Sequence, residues 1–123
     1  MFTSYGKLIY YPSWWMVIKV DDEICRYYRS LVNAYSRMVV LNASKHGAHI
    51  TVIAGKYEHP KNKHHWDKYN NQKIRFDYDP YIKTNDEYFW MEVKCPKIEK
   101  IREELGLTPR ITIPWHLTVG NLK

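Results

Sequence analysis

Two strings, His49-Ile50-Thr51-Val52 and His116-Leu117-Thr118-Val119, write one pattern of histidine, apolar residue, threonine and valine in distant parts of the chain. Side chains alternate faces along a strand, so His49 and Thr51 project from one side while Ala48, Ile50, Val52 and Ala54 project from the other. The second copy has the same parity: His116 and Thr118 share a face, and Trp115, Leu117 and Val119 form the apolar one. The fold is thereby constrained to two strands whose apolar faces rest on helices. One His-x-Thr alone is a weak signal, but two copies at matching parity inside apolar strand patterns are a strong one. The plainer alternative is strand residues with locally bonded imidazoles and β-favouring threonines. Brought opposite each other, the histidines can act as general base and general acid, and the paired hydroxyls can hold an anionic oxygen.

The rest of the chain supplies the elements around these strings. Residues 7–11 form a short apolar stretch closed by Pro12, which reads as an edge strand, and residues 14–20 read as a stronger strand. Asp21 and Asp22 offer an N-cap and first-turn negative charge, and Ile24, Tyr27, Tyr28, Leu31, Val32 and Tyr35 make one helical stripe to about residue 36. A strand is expected over residues 38–41 and a turn over 42–47, leading into the first motif and its stop at Gly55. Residues 56–72 read as an exposed polar loop with one helical turn. Ile74, Phe76 and Tyr78 alternate with charges as in a half-buried strand, and a turn through Pro80 and Asn85-Asp86 precedes a strand over residues 87–94. Pro96 suits the first turn of a helix with an Ile98, Ile101 and Leu105 face and a stop at Gly106; a connector through Pro109 reaches the second motif.

This order is an imperfect duplication: strand, helix, strand, His-x-Thr strand, then strand, strand, helix, His-x-Thr strand. It predicts an α+β fold occupying residues 1–123 as a single bilobal domain, since 123 residues are too few for two independent cores. Pseudo-twofold antiparallel sheets would form a groove, with the motif strands side by side on its floor and the helices on the outer faces.

Charge and cysteines narrow the partners. Nineteen Lys and Arg against 13 Asp and Glu give a net charge of +6, so the surface attracts polyanions, and the 11 Tyr and 5 Trp include potential stacking platforms. Cys25 and Cys95 specify neither a disulfide framework nor a zinc knuckle, and reduced thiols in a cytoplasm are the expectation. The amino terminus does not read as a signal peptide, and no apolar run is long enough to span a bilayer. No obligatory protein partner is evident.

In their order, these residues resemble the two-histidine (2H) phosphoesterase superfamily, which includes LigT-like cyclic phosphodiesterases and RNA-ligase-like proteins. Residues 15–24 look like its first strand and acidic helix start, residues 49–55 its first active-site strand, and residues 88–93, the helix to 107 and residues 114–120 its closing strand, helix and second motif. The resemblance implies a metal-independent phosphodiesterase without a cofactor, in which His49 and His116 flank the scissile phosphate and Thr51 and Thr118 hydrogen-bond its oxygens. Small size and motif separation are also similar to phage anti-CBASS phosphodiesterases, which destroy cyclic oligonucleotide signals. That likeness implies a viral protein in the host cytoplasm acting on a cyclic oligonucleotide or short RNA-like substrate. Other activities left open are hydrolysis of 2′,3′-cyclic phosphates at RNA ends or of 2′,5′-linked oligonucleotides, and non-catalytic RNA or nucleotide binding. Many relatives continue into further segments after the second motif, so any base contact those segments make is expected to be absent here or replaced, with residues before Trp14 as a candidate source.

Secondary candidates surround the motifs. Tyr11 is the chosen substrate contact; Trp14, Tyr57 and Trp66 are other stacking candidates, and Lys7, Lys45 and Lys56 could steer phosphate. His46 and His49 stand at i, i+3, but no carboxylate signature accompanies them, so no metal site is expected, and His59, His64 and His65 read as a solvated cluster.

Overall fold

The computed structural model describes residues 1–11, 13–35, 40–55, 58–61, 68–110 and 113–122. The elements run β1 (Phe2–Tyr11), β2 (Trp15–Val20), α1 (Asp22–Tyr35), β3 (His49–Ile53), β4 (Lys73–Tyr78), β5 (Lys83–Thr84), β6 (Tyr88–Lys94), α2 (Pro96–Glu104) and β7 (His116–Asn121). All the strands belong to one antiparallel sheet ordered β4-β1-β2-β3-β7-β6-β5, which a further β4–β6 pairing closes into a barrel. The α+β class and the adjacency of the motif strands agree with the sequence. The sheets expected for separate lobes are instead continuous through β3 and β7.

The core sits under the apolar rows of this sheet. Leu8 pairs with Ile18, Ile18 with Ile50, Ile50 with Leu117 and Leu117 with Met91, and all five side chains are fully buried. α1 lies against β7 and α2 against β3, so each helix backs the motif strand of the other half of the chain. Burial of Cys25 and Tyr28 on α1, and of Ile98 and Ile101 on α2, anchors these contacts.

Several expectations need correction. Residues 38 and 39 of the expected strand over 38–41 lie outside the described residues, while Val40 and Leu41 are not strand. Leu41 is buried as a single anchor, with its N–H donating to Asn33 Oδ1 at 2.9 Å, and Asn42 meets Asn121 in an isolated bridge. An apolar residue planted in the core mimics a strand in sequence. β1 is longer than expected and is no edge: its first half pairs with β4, and its second half pairs with β2. Beyond that overlap the turn before β4 caps it, with Leu8 N–H donating to Gln72 O at 2.9 Å and Asn71 N–H to Leu8 O at 2.7 Å. The loop over 56–72 is not wholly exposed, because Tyr69 is buried and its hydroxyl donates to Glu104 at 2.9 Å. The turn near residue 84 holds the short strand β5 on β6.

The duplication is deeper than the motifs. Val17 pairs with Thr51 and Met16 with Ile53, leaving Val52 as a bulge; Trp90 pairs with Thr118 and Phe89 with Gly120, leaving Val119 as a bulge at the matching place. A bulge leaves ladder groups unpaired. Here an arginine from the helix of the other half fills the gap in each case: Arg29 of α1 donates to Val119 O at 2.9 Å, and Arg102 of α2 donates to Val52 O at 3.0 Å. Arg102 is fully buried and also donates to Thr108 O at 2.7 Å and to both carboxylate oxygens of Glu58.

Removing one partner of a buried, hydrogen-bonded ion pair is costly. Arg102→Met is therefore expected to lower unfolding free energy by about 3 kcal/mol, read by urea denaturation. Hydrogen bonding to Arg102 holds the Glu58 carboxyl below its ordinary value of 4.5. Because its folded value is depressed, its stabilisation is complete above the unfolded value and is lost as pH falls through the folded one. Glu58→Gln should be less stable than the parent at neutral pH, and the difference should shrink as pH falls from 4.5 through the depressed folded value.

Candidate active site

The site follows from one cross-strand pair. With Ile50 opposite Leu117 in an antiparallel ladder, one step outward in each direction sets His49 opposite Thr118 and Thr51 opposite His116. The four side chains share a face and alternate in kind around a small square. They are half-buried, whereas their strand neighbours Ile50, Val52, Leu117 and Val119 are buried on the other face. Directly opposed Cβ atoms in such a pair lie about 5 Å apart and diagonal ones about 7 Å, so the two imidazoles can bracket one tetrahedral anion while the hydroxyls reach its remaining oxygens.

Each imidazole is held in the same way. His49 Nδ1 lies 2.8 Å from Gly47 O and His116 Nδ1 lies 3.2 Å from Pro114 O, in both cases the carbonyl two residues upstream. A carbonyl can only accept, so Nδ1 carries a proton on both rings and Nε2 is the atom left to exchange one.

Aromatic rings border the square. Trp15 sits edge-on to His49 with centroids 6.1 Å apart, and Trp90 edge-on to His116 at 6.5 Å. Tyr11 stacks on Trp15 at 4.7 Å, which brings the predicted substrate contact one ring away from His49. His46 also lies edge-on to Trp15, at 5.3 Å. Among the described residues no three His, Cys, Asp or Glu side chains gather as a metal-binding group.

Residues 16–123 match the family described as 2H-SAK, the Swiss Army Knife 2H phosphoesterase domain. The chain belongs to the 2H phosphoesterase family. Its general activity is accordingly hydrolysis of phosphoester bonds. No match is found among curated proteins or among solved structures. No helix among the described residues is long and apolar enough to cross a membrane.

The structure brings His49, Thr51, His116 and Thr118 of this 2H phosphoesterase together, with Tyr11 beside them. Lys7 lies on the same face two strands away, while Trp14 is in the β1–β2 turn with φ 62°. Lys45 is exposed in the turn before β3, and His59 Nε2 bonds Gly55 O at 3.0 Å. Lys56, Tyr57, His64, His65 and Trp66 lie outside the described residues.

Sequence reasoning missed Trp90, Lys19 and a support behind His49. Asp22 Oδ1 accepts from Ala48 N–H at 2.8 Å, and that N–H belongs to the same peptide group as the Gly47 carbonyl that receives His49 Nδ1–H. The carboxylate therefore orients the peptide and polarises it toward the imidazole. Gly47 has φ +76°, and a Cβ there would stand 3.2 Å from Asp22 Oδ1, so glycine serves both the turn and the close approach of the carboxylate. In the other half, Cys95 occupies the place of Asp22, two residues after the valine whose N–H donates to the carbonyl just before the motif histidine, and its Sγ donates elsewhere, to Arg75 O at 3.4 Å. The detectable signal was an aspartate on a helix's first turn with a glycine just before the histidine strand.

Asp22→Ala is expected to lower kcat/KM about tenfold, the rate equivalent of one charged hydrogen bond of ~1.5 kcal/mol. Asp22→Asn, which keeps an acceptor, should recover part of it. Imidazole 15N NMR provides a readout that simple destabilisation leaves unmoved: His49 should lose its uniform Nδ1–H form in Asp22→Ala, while His116 keeps its own.

Proposed function

We propose that this 2H phosphoesterase is a metal-independent phosphodiesterase that cleaves 3′,5′ phosphodiester bonds in cyclic oligonucleotides by paired-histidine acid-base catalysis. The observation that carries the reading is the crossed register, which gives the two ends of one phosphodiester an imidazole and a hydroxyl each. The net charge of +6 and the Trp15, Tyr11 and Trp90 rings support a nucleotide ligand.

In the proposed step one neutral imidazole accepts the ribose 2′-hydroxyl proton on Nε2 as the 2′-oxygen bonds to phosphorus. The other, as imidazolium, gives its Nε2 proton to the departing 5′-oxygen as the P–O5′ bond breaks. The products are a 2′,3′-cyclic phosphate and a free 5′-hydroxyl; water can then open the cyclic phosphate with the two rings exchanging roles. Thr51 and Thr118 donate to the non-bridging oxygens, where charge builds up in the transition state. A role in destroying cyclic oligonucleotide signals, of the anti-CBASS kind and in a host cytoplasm, belongs to this proposal and is supported by the spacing of the motifs.

The test is a substrate panel of cyclic oligonucleotides, 2′,5′-linked oligoadenylate and 2′,3′-cyclic-phosphate ends, run in excess chelator with product chromatography. Multiple turnovers of the cyclic oligonucleotide with a bell-shaped pH profile are expected. His49→Ala and His116→Ala should each lower kcat/KM by about 10²–10⁴-fold. Near-parental turnover in both variants would remove the mechanism; turnover confined to cyclic-phosphate ends would transfer the activity to RNA termini, and stoichiometric binding without product would make the protein a binding module. Tyr11→Ala should raise KM with little change in kcat, and unchanged kinetics would exclude it as a contact.

A further inference from the structure

A file of basic side chains runs across the sheet into the active site. Lys73 of β4 pairs with Lys7 of β1, Lys7 pairs with Lys19 of β2, and Lys19 pairs with His49 of β3. Directly paired residues share a sheet face, so the three lysines stand on the face that carries the four motif side chains. All three are exposed. Like charges set directly opposite one another destabilise a sheet. Two such pairs in succession are thus a local cost, of the kind found where a ligand's charge compensates. None of the ion pairs among the described residues uses Lys7, Lys19 or Lys73. Lys73 Nζ rests over the Tyr5 ring at 4.4 Å, which keeps its charge at the surface without neutralising it. Arg75, two residues along β4 on the same face, is also exposed.

The other side of the site is different. The residue paired with His116, in the position that Lys19 takes beside His49, is Glu92, and it is ion-paired with Lys83. A phosphate chain therefore meets an uncompensated cation beside His49 and a compensated ion pair beside His116. From His49 to Lys73 the file spans three strand spacings, about 14 Å, more than the scissile phosphate alone can occupy.

Building on the phosphodiesterase reading, we propose that Lys19, Lys7 and Lys73 form a track for the further phosphates of an oligonucleotide whose scissile phosphate lies between His49 and His116. The substrate class is then an oligonucleotide with several phosphates in file, a linear strand or a ring larger than a cyclic dinucleotide, that leaves the site across β2, β1 and β4.

The test measures binding in the His116→Ala protein, which keeps the track and slows turnover, by fluorescence anisotropy with labelled RNA dinucleotide, tetranucleotide and octanucleotide over a range of salt. Affinity should climb from dinucleotide to tetranucleotide and level off by the octanucleotide. Adding Lys7→Ala, Lys19→Ala and Lys73→Ala together should flatten that climb and reduce the salt slope by about 2, at about 0.7 for each phosphate that a lysine no longer neutralises. Lys100→Ala, an exposed lysine on α2 that is no part of the paired file, is the control for diffuse charge. Length-independent affinity, an unchanged salt slope in the triple variant, or an equal loss per charge in the control would overturn the track. Circular dichroism confirms that the variants fold. If the parent protein turns over no oligonucleotide while the binding pattern holds, the catalytic reading falls and the track stands; turnover with length-independent binding removes the track alone.

Discussion

Five fully buried side chains in register, Leu8, Ile18, Ile50, Leu117 and Met91, cross five strands of the sheet and fix every neighbouring row. A strand has a side-chain period of two, so a one-residue slip anywhere in that file would turn an apolar set toward water. The neighbouring row, from Lys7 through Lys19, His49 and Thr118 to Trp90, is therefore placed by the packing of residues that never touch a ligand. The helices enforce the same register from behind, because Arg29 and Arg102 each complete a bulge in the opposite half. Such satisfaction matters: a buried carbonyl left without a donor costs about 1–3 kcal/mol.

The two halves repeat this framework and differ where the chemistry is. Both have the bulge after the motif threonine, the helix arginine and the imidazole held by the carbonyl two residues upstream. They diverge at the residue paired with each histidine, Lys19 against Glu92, and in what lies behind the ring, Asp22 against Cys95. A symmetric scaffold thus sets two like groups around one centre, and a few substitutions make their surroundings unequal. A phosphodiester is itself unequal at its two ends, with an attacking oxygen on one side and a leaving oxygen on the other.

Much of this was legible in the sequence. The parity of His49 with Thr51 and of His116 with Thr118 is encoded by local periodicity and gave the shared face, whereas the adjacency of β3 and β7 followed from the repeated order of elements, which implies two halves related by a pseudo-twofold axis. Barrel closure was not legible: it depends on β4 crossing to β1, a non-local pairing with no local signature. Leu41 read as strand because burial of one apolar residue and pairing of a segment leave the same trace. Arg102 had a visible sign, a charge set among Ile98, Ile101 and Leu105 on the apolar stripe of α2, but of its partners only Thr108 is near in sequence, and Val52 and Glu58 come from the other half of the chain.

Burial also decides the character of the sulfur atoms. Cys25, sealed between α1 and β7 with its Sγ donating to Thr118 O, has its thiol pushed up to about 11, and burial raises Cys95 as well. A thiol reacts as its thiolate, so burial and the raised pKa both disfavour reaction of either cysteine at neutral pH. A cysteine introduced on the aromatic rim would be the one exposed thiol beside two buried ones, which makes the native protein a suitable background for attaching a spin label or fluorophore beside the site.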